Sequence, residues 1–204
     1  MKHLLLLVIA FSLLSCTKEE LHGPNQLKNG QVVELLVNHN YASTEDILLQ
    51  LPNKVPAGAS LMGFEERQPG YSYRVKARFV FTENPPQDGS AYWFEFMDIL
   101  DKNQYTGHDA FQLELIQSHV PGGPTLLLNK KGNDYFFKSE KVQLTPANET
   151  IKAQLEEIWQ HAQSLRENPG QAQLPKWKSI KANVSHDKQY FGKAYLVQNI
   201  HFEQ

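Results

Sequence analysis

Residues 63–99, G-F-E-E-R-Q-P-G-Y-S-Y-R-V-K-A-R-F-V-F-T-E-N-P-P-Q-D-G-S-A-Y-W-F-E-F-M-D-I, hold the pattern from which the fold is read. Tyr71, Tyr73, Val75, Ala77, Phe79 and Phe81 fall on one face, and Ser72, Arg74, Lys76, Arg78 and Val80 on the other, because side chains of a strand alternate with period two. Asn84-Pro85-Pro86-Gln87-Asp88-Gly89 ends the run, since tandem prolines remove two ladder donors and Asp-Gly favours a turn. Tyr92 to Ile99 resumes as an aromatic-rich strand. The stretch predicts a β-hairpin.

Upstream, Gln31 to Val37 is an apolar run of strand length, Asn38-His39-Asn40 reads as a turn, and Asp46 to Leu51 as a further strand. Pro52, Pro56 and Gly58 mark a loop. Gly63-Phe64, Pro69-Gly70-Tyr71-Ser72-Tyr73-Arg74-Val75 and Pro85-Pro86-Gln87-Asp88-Gly89-Ser90 together resemble a bacterial lipoprotein domain family of unknown function, often found beside META-type heat-shock lipoprotein domains. The resemblance covers roughly residues 30 to 103 and implies a small β-rich extracytoplasmic module with no catalytic residues to carry over. Many members have a pair of upstream cysteines, whereas this chain has none after Cys16.

The second half echoes the first. Val33-Glu34-Leu35-Leu36 with His39 returns as Leu113-Glu114-Leu115-Ile116 with His119. Leu48-Leu49 returns as Leu126-Leu127-Leu128, Val75-Lys76-Ala77 as Ile180-Lys181-Ala182, and Gly89-Ser90-Ala91-Tyr92 as Gly192-Lys193-Ala194-Tyr195. An internal duplication is the expectation that joins these echoes. The second copy carries additions: a strand over Asp134 to Leu144, and a helix over 149–167. In that helix Ile151, Leu155, Ile158, Trp159, Ala162 and Leu165 form one apolar face. Thr145-Pro146 or Asn148 supplies its start, and Asn168-Pro169-Gly170 its stop. Trp177 to Asp187 and Lys193 to Phe202 read as the last two strands. The fold class expected is mainly β with one α-helix, two small OB-like or barrel-like β units in tandem, with the element order of a five-stranded OB barrel in the second.

The N-terminus reads as targeting rather than fold. The apolar run Leu4 to Leu14 is shorter than the roughly 20 residues that span a bilayer. It ends in Leu13-Leu14-Ser15-Cys16, which resembles a bacterial lipobox with the chain's sole cysteine as lipid-attachment residue. Thr17-Lys18-Glu19-Glu20 looks like a surface-export signal, with Lys18, Glu19 and Glu20 as its residues. The expected organisation is a signal peptide over 1–15, a polar tether over 16–29, a β domain over 30–103 and a second β unit with a helix over 104–204. The expected location is the bacterial outer membrane, lipid-anchored and facing the cell surface, with the periplasmic face as the alternative.

The net charge of −2 gives no basic surplus of the kind that marks nucleic-acid binding. No nucleophile elbow, zinc-protease helix motif, phosphate-binding loop or dinucleotide fingerprint occurs. Glu65-Glu66 beside Arg67 reads as a solvated charge cluster. The histidines show no pairing at metal-ligand spacing, so no catalytic residue, metal or cofactor is expected. The ligand-binding candidates are Arg74, Lys76 and Arg78, three cations on one strand face, with Trp93 on the neighbouring strand for stacking; the favoured reading of the same stripe is the polar face of an amphipathic strand, paired with Glu95 across the ladder. The functional expectation is a monomeric, lipid-anchored, non-catalytic binding module for an unknown protein or glycan. The alternatives are an accessory subunit of an envelope complex, or an envelope-polysaccharide enzyme with an unrecognised site.

Overall fold

The computed structural model describes residues 20–117, 124–138, 140–167 and 174–204. Cys16, Lys18, Glu19, His119 and the expected helix stop at 168–170 lie outside them. The first unit contains β1 (Leu21–His22), β2 (Leu27–Lys28), β3 (Val32–Val37), β4 (Leu49–Gln50), β5 (Val55–Pro56), β6 (Leu61–Met62), β7 (Tyr71–Phe81) and β8 (Tyr92–Gln104). The second contains β9 (Phe111–Glu114), β10 (Ile116–Gln117), β11 (Thr125–Leu126), β12 (Leu128–Lys131), β13 (Asp134–Phe137), β14 (Val142–Pro146), α1 (Glu149–Glu167), β15 (Ser179–His186) and β16 (Ala194–Glu203). The chain is mainly β, with one helix among the described residues, arranged as two tandem units. Each is built on a six-stranded sheet of half-barrel form, ordered β5-β4-β3-β7-β8-β6 and β12-β13-β14-β16-β15-β9.

The alternation in β7 sorts its residues as the sequence predicts. Tyr73, Val75, Ala77 and Phe79 are buried in the first core, while Arg74, Lys76 and Arg78 face solvent. β8 pairs along its whole length, from Tyr71↔Gln104 to Phe81↔Tyr92, with two register shifts that leave Met97 and Leu100 without partners on β7. These extra residues are bulges, which sharpen the local twist and help the sheet to curl.

The echoes in the sequence land on equivalent strand pairs. Val33↔Ala77 and Glu34↔Lys76 in the first unit match Leu113↔Ala182 and Glu114↔Lys181 in the second. Phe81↔Tyr92 and Phe79↔Phe94 match His186↔Tyr195 and Val184↔Val197. Leu36↔Leu49 matches Ile116↔Leu126. Both units also carry one parallel pairing, β6 with β8 and β14 with β16. Conserved partners, sense and register make the two units structural repeats.

The repeats differ in what covers them. In the second, α1 lays Ile151, Leu155, Ile158 and Ala162 onto the core, and the Asn148 side chain caps the helix by accepting from Ile151 N at 3.0 Å. Trp159 sits at the edge of that core, half-buried, with Arg166 over its ring. In the first, the place of the helix is taken by the loop 63–70. Its Phe64 plugs the core, stacked on Phe96 at 4.5 Å and edge-on to Tyr73 at 5.0 Å.

Three expectations are corrected. The strand expected over 134–144 is two strands, because Lys138 and Glu140 adopt positive φ and turn the chain between them. The helix of the second unit therefore follows six strands, β9 to β14, rather than the three expected. The strand expected over 46–51 shortens to β4, since the Asp46 carboxylate accepts from Ala42 N and pairs with Arg67 instead of extending along β3. The tether expected to reach residue 29 is already folded from Leu21. Leu27 is buried in the first core, and the Asn25 amide donates to Gln50 Oε1 at 2.9 Å and to Pro56 O at 3.0 Å.

Gly70 lies where the units meet, with φ +83°, and a Cβ there would come within 2.6 Å of Phe191 Cζ. Gly70→Ala thus combines an unfavourable left-handed backbone with a clash across the junction. The expected loss is about 1–3 kcal/mol, read as a lower urea midpoint at unchanged m-value.

Candidate functional site

The junction assembles a dense group of aromatic and titratable side chains from the ends of several strands. After β3, the turn at Asn38-His39 is stitched to the neighbouring strands: Gly70 N donates to His39 O at 2.8 Å, and Tyr105 N donates to Gly70 O at 2.9 Å. These bonds hold the His39 ring flat against Tyr105, with centroids 3.6 Å apart. His39 Nδ1 lies 2.9 Å from Nε2 of His186, the last residue of β15. His186 is further enclosed by Phe111, Phe191 and Tyr195, with ring centroids 5.3 to 5.7 Å away. Its Nδ1 is buried and has no hydrogen-bond partner among the described residues.

Contacts on all sides fix this pair. Tyr195, fully buried, donates its hydroxyl to Tyr41 O at 2.9 Å, and burial pushes the phenol well above its ordinary range. Phe191 sits edge-on to Tyr71 at 5.4 Å, and Thr44 N donates to Gln112 O at 3.0 Å. Arg67 braces the turn from below: it pairs with Asp46 at 2.5 Å, donates to Asn38 O at 2.9 Å and covers the Tyr41 ring. Glu65 is exposed and pairs with Lys141 of the second unit at 2.8 Å. Of the cluster expected to be solvated, Glu65 fits. Arg67 does not, because its side chain is 14% exposed and its Nη2 donates to both Asn38 O and Asp46 Oδ1.

Above the histidine pair opens a cleft of about 890 Å³ between the end of β8 and the β15–β16 turn. That volume is in the range of sites for small molecules. The Tyr105 ring forms one wall, oriented by its hydroxyl donating to Asp109 Oδ2 at 2.5 Å. Phe191 forms another, and Gln104, Gln189 and Gln198 bring amides to the rim. Gln198 Nε2 donates to Ser185 Oγ at 3.1 Å. Asp187 is buried and shapes the turn, accepting from the backbone amides of Gln189 and Tyr190 at 2.8 and 3.3 Å. The lining therefore offers aromatic faces and hydrogen-bonding groups, with the Lys188 ammonium as a cation at the rim.

Both junction histidines are biased toward the neutral form. Burial lowers the His39 pKa, opposed by the negative charges of Asp109, Glu45 and Asp46. Burial, and then the His39 charge, brings His186 down to about 4. A His–His hydrogen bond needs at least one neutral ring to accept, so the geometry and the bias agree.

The residues proposed from the sequence lie elsewhere. Arg74, Lys76 and Arg78 share the outer face of β7, where each faces carboxylates on the flanking strands. Arg74 approaches Glu34 at 3.8 Å, Arg78 approaches Glu95 at 3.8 Å, and Lys76 stands between Glu34 and Asp98 in the ladder. Trp93 pairs with Val80 beside Arg78 on that same face. The stripe carries two exposed ion pairs flanking Lys76, each worth little on its own. Glu20, the one described residue of the export signal, is exposed just before β1. Among the described residues, no three His, Cys, Asp or Glu side chains could hold a metal ion.

No two histidines stand at metal-ligand spacing in the sequence, yet His39 and His186, 147 residues apart, meet through the tandem arrangement. One signal was present. In the repeat register His186 occupies the place of Phe81, so a histidine stands at an inward aromatic position. No family model, no curated protein and no solved structure matches this chain.

The neutral pair makes folding stability depend on pH. Between about 4 and 6.5 the unfolded chain binds a proton at His186 that the folded chain does not, so stability falls as pH is lowered through that window and this contribution levels off below it. Urea midpoints measured from pH 7.5 to 4 should show this decline. His186→Phe, which installs the residue of the equivalent position in the first unit, should flatten it relative to the parent chain.

Proposed function

We propose that this chain is a lipid-anchored extracytoplasmic binding protein, without catalytic activity, and that its ligand is a saccharide seated in the junction cleft. The observation that carries the reading is the cleft's composition. An oriented tyrosine face, a phenylalanine and three rim amides suit the apolar ring faces and hydroxyls of a sugar. The buried Asp187 carboxylate is occupied by the backbone of its own turn, and His186 is occupied by His39. The atoms so engaged, Asp187 Oδ1 and His186 Nε2, are withdrawn from general-base work, which favours binding over hydrolysis. Attachment to the outer membrane rests on the Leu13-Leu14-Ser15-Cys16 pattern, and exposure at the cell surface on Lys18-Glu19-Glu20. Two or three acyl chains at Cys16 suffice for stable anchoring. The resemblance of residues 30–103 to lipoprotein domains agrees with this location.

Each part has its own test. Incorporation of labelled palmitate should be abolished by Cys16→Ser. Protease added to intact cells should digest the parent protein but spare a variant with Lys18, Glu19 and Glu20 all changed to Ala; protection of both would place the protein on the periplasmic face. Binding should be screened on an immobilised glycan array and quantified by calorimetry. Gln189→Ala, at the exposed rim, should weaken the leading hit about tenfold, or about 1.4 kcal/mol, without shifting the melting temperature. Lys76→Ala should leave affinity unchanged, and a loss there instead would move the site to the outer face of β7.

A further inference from the structure

We infer that β1–β2 and the tip of the β7–β8 hairpin face the lipid headgroups, and that the junction cleft is displayed on the far side, away from the bilayer. The inference rests on the lipid anchor at Cys16 and adds the orientation that the fold then imposes. Only Thr17 to Glu20 separate the anchor from the first strand residue, Leu21. Five Cα steps reach at most about 17 Å, even fully extended.

Residues 21–30 cannot lengthen this leash without losing their contacts. The His22 ring stacks on Phe81 with centroids 3.7 Å apart. Asn29 Oδ1 accepts from Phe81 N at 3.0 Å, and Gly30 N donates to Phe79 O at 2.8 Å. Pro24 packs on Gly58 so closely that a Cβ there would lie 2.4 Å from Pro24 Cγ. All these contacts hold the entering chain at one end of the long hairpin, where β7 finishes and β8 begins.

The cleft lies at the other end. β7 runs from Phe81 back to Tyr71, and Tyr71 pairs with Gln104, which lines the cleft. Ten residue steps of strand correspond to about 33 Å, less what the curl removes. The hairpin is therefore a spacer, with the anchor at its foot and the cleft at its head. Its tip, Glu83 to Ser90, is exposed throughout and carries no large apolar side chain. With the Glu83 and Asp88 carboxylates and no cation, the tip is brought to the headgroup layer by the short tether rather than by charge, and it gives no wedge to enter hydrocarbon.

The test uses the full lipidated chain in vesicles of phosphatidylethanolamine and phosphatidylglycerol doped with a gadolinium-chelating lipid. Cys16 is the sole cysteine and its sulfur is consumed by lipidation, so an added cysteine can be spin-labelled uniquely. Asp88→Cys reports the tip and Lys188→Cys the cleft rim. Strong relaxation of the tip label and loss of the effect at the rim are expected. Equal relaxation at both sites, or a stronger effect at the rim, would overturn the orientation. Flotation of the same samples separates the two layers of the argument: protein that fails to float with the vesicles overturns the anchor, and the orientation with it. Inserting a flexible Gly-Ser segment between Glu20 and Leu21 should preserve flotation but weaken the tip signal. A tip signal that survives the insertion would overturn the short-tether argument.

Discussion

The ladder between β7 and β8 is the constraint on which the other parts depend. It aligns the inward row Tyr73, Val75, Ala77 and Phe79 over the first core, and its two bulges bend the sheet enough to enclose that core. At its head, Tyr71 and Tyr105 meet Phe191 and His39. At its foot, Phe79 and Phe81 receive the entering chain. The junction and the N-terminal hairpin, which share no residues, are thus positioned by one rigid pair of strands.

The second repeat shows how one strand plan accepts different covers. A helix of 19 residues contributes four buried side chains to the core of the second unit, where the first relies on Phe64 and Leu27. The second core is correspondingly larger, and it extends to the histidine pair through Phe111 and Tyr195. Placing His186 where the first unit has Phe81 keeps the aromatic packing while adding two nitrogens. One of them bonds across the junction, which ties the units more specifically than apolar contact alone.

The sequence carried most of this fold because strand alternation and helical periodicity are local signals. The faces of β7 and the full span of α1 follow from them. The register of the repeats was also foreshadowed, since Glu34 with Lys76 and Glu114 with Lys181 recur as cross-strand partners. The site was far less legible. Periodicity tells which face a side chain takes but not which strand end meets which, so nothing local links His39 to His186. Arg67 and Asn25 were read as loop and tether because their types are polar, yet each is immobilised by several hydrogen bonds to distant carbonyls or side chains. Polar residues tied down by long-range partners carry no periodic signature.

The first sheet ends in β5 and β6, two residues each, and Pro56 removes one backbone donor from β5. Edges so brief give an approaching strand little to template on. The second sheet ends in β9 and β12, whose continuations are paired through β10 and β11, with Leu127 N donating to Leu115 O at 2.8 Å. Blunted and tied edges of this kind leave a second copy no long free ladder to add to, so a collision between two molecules does not extend either sheet.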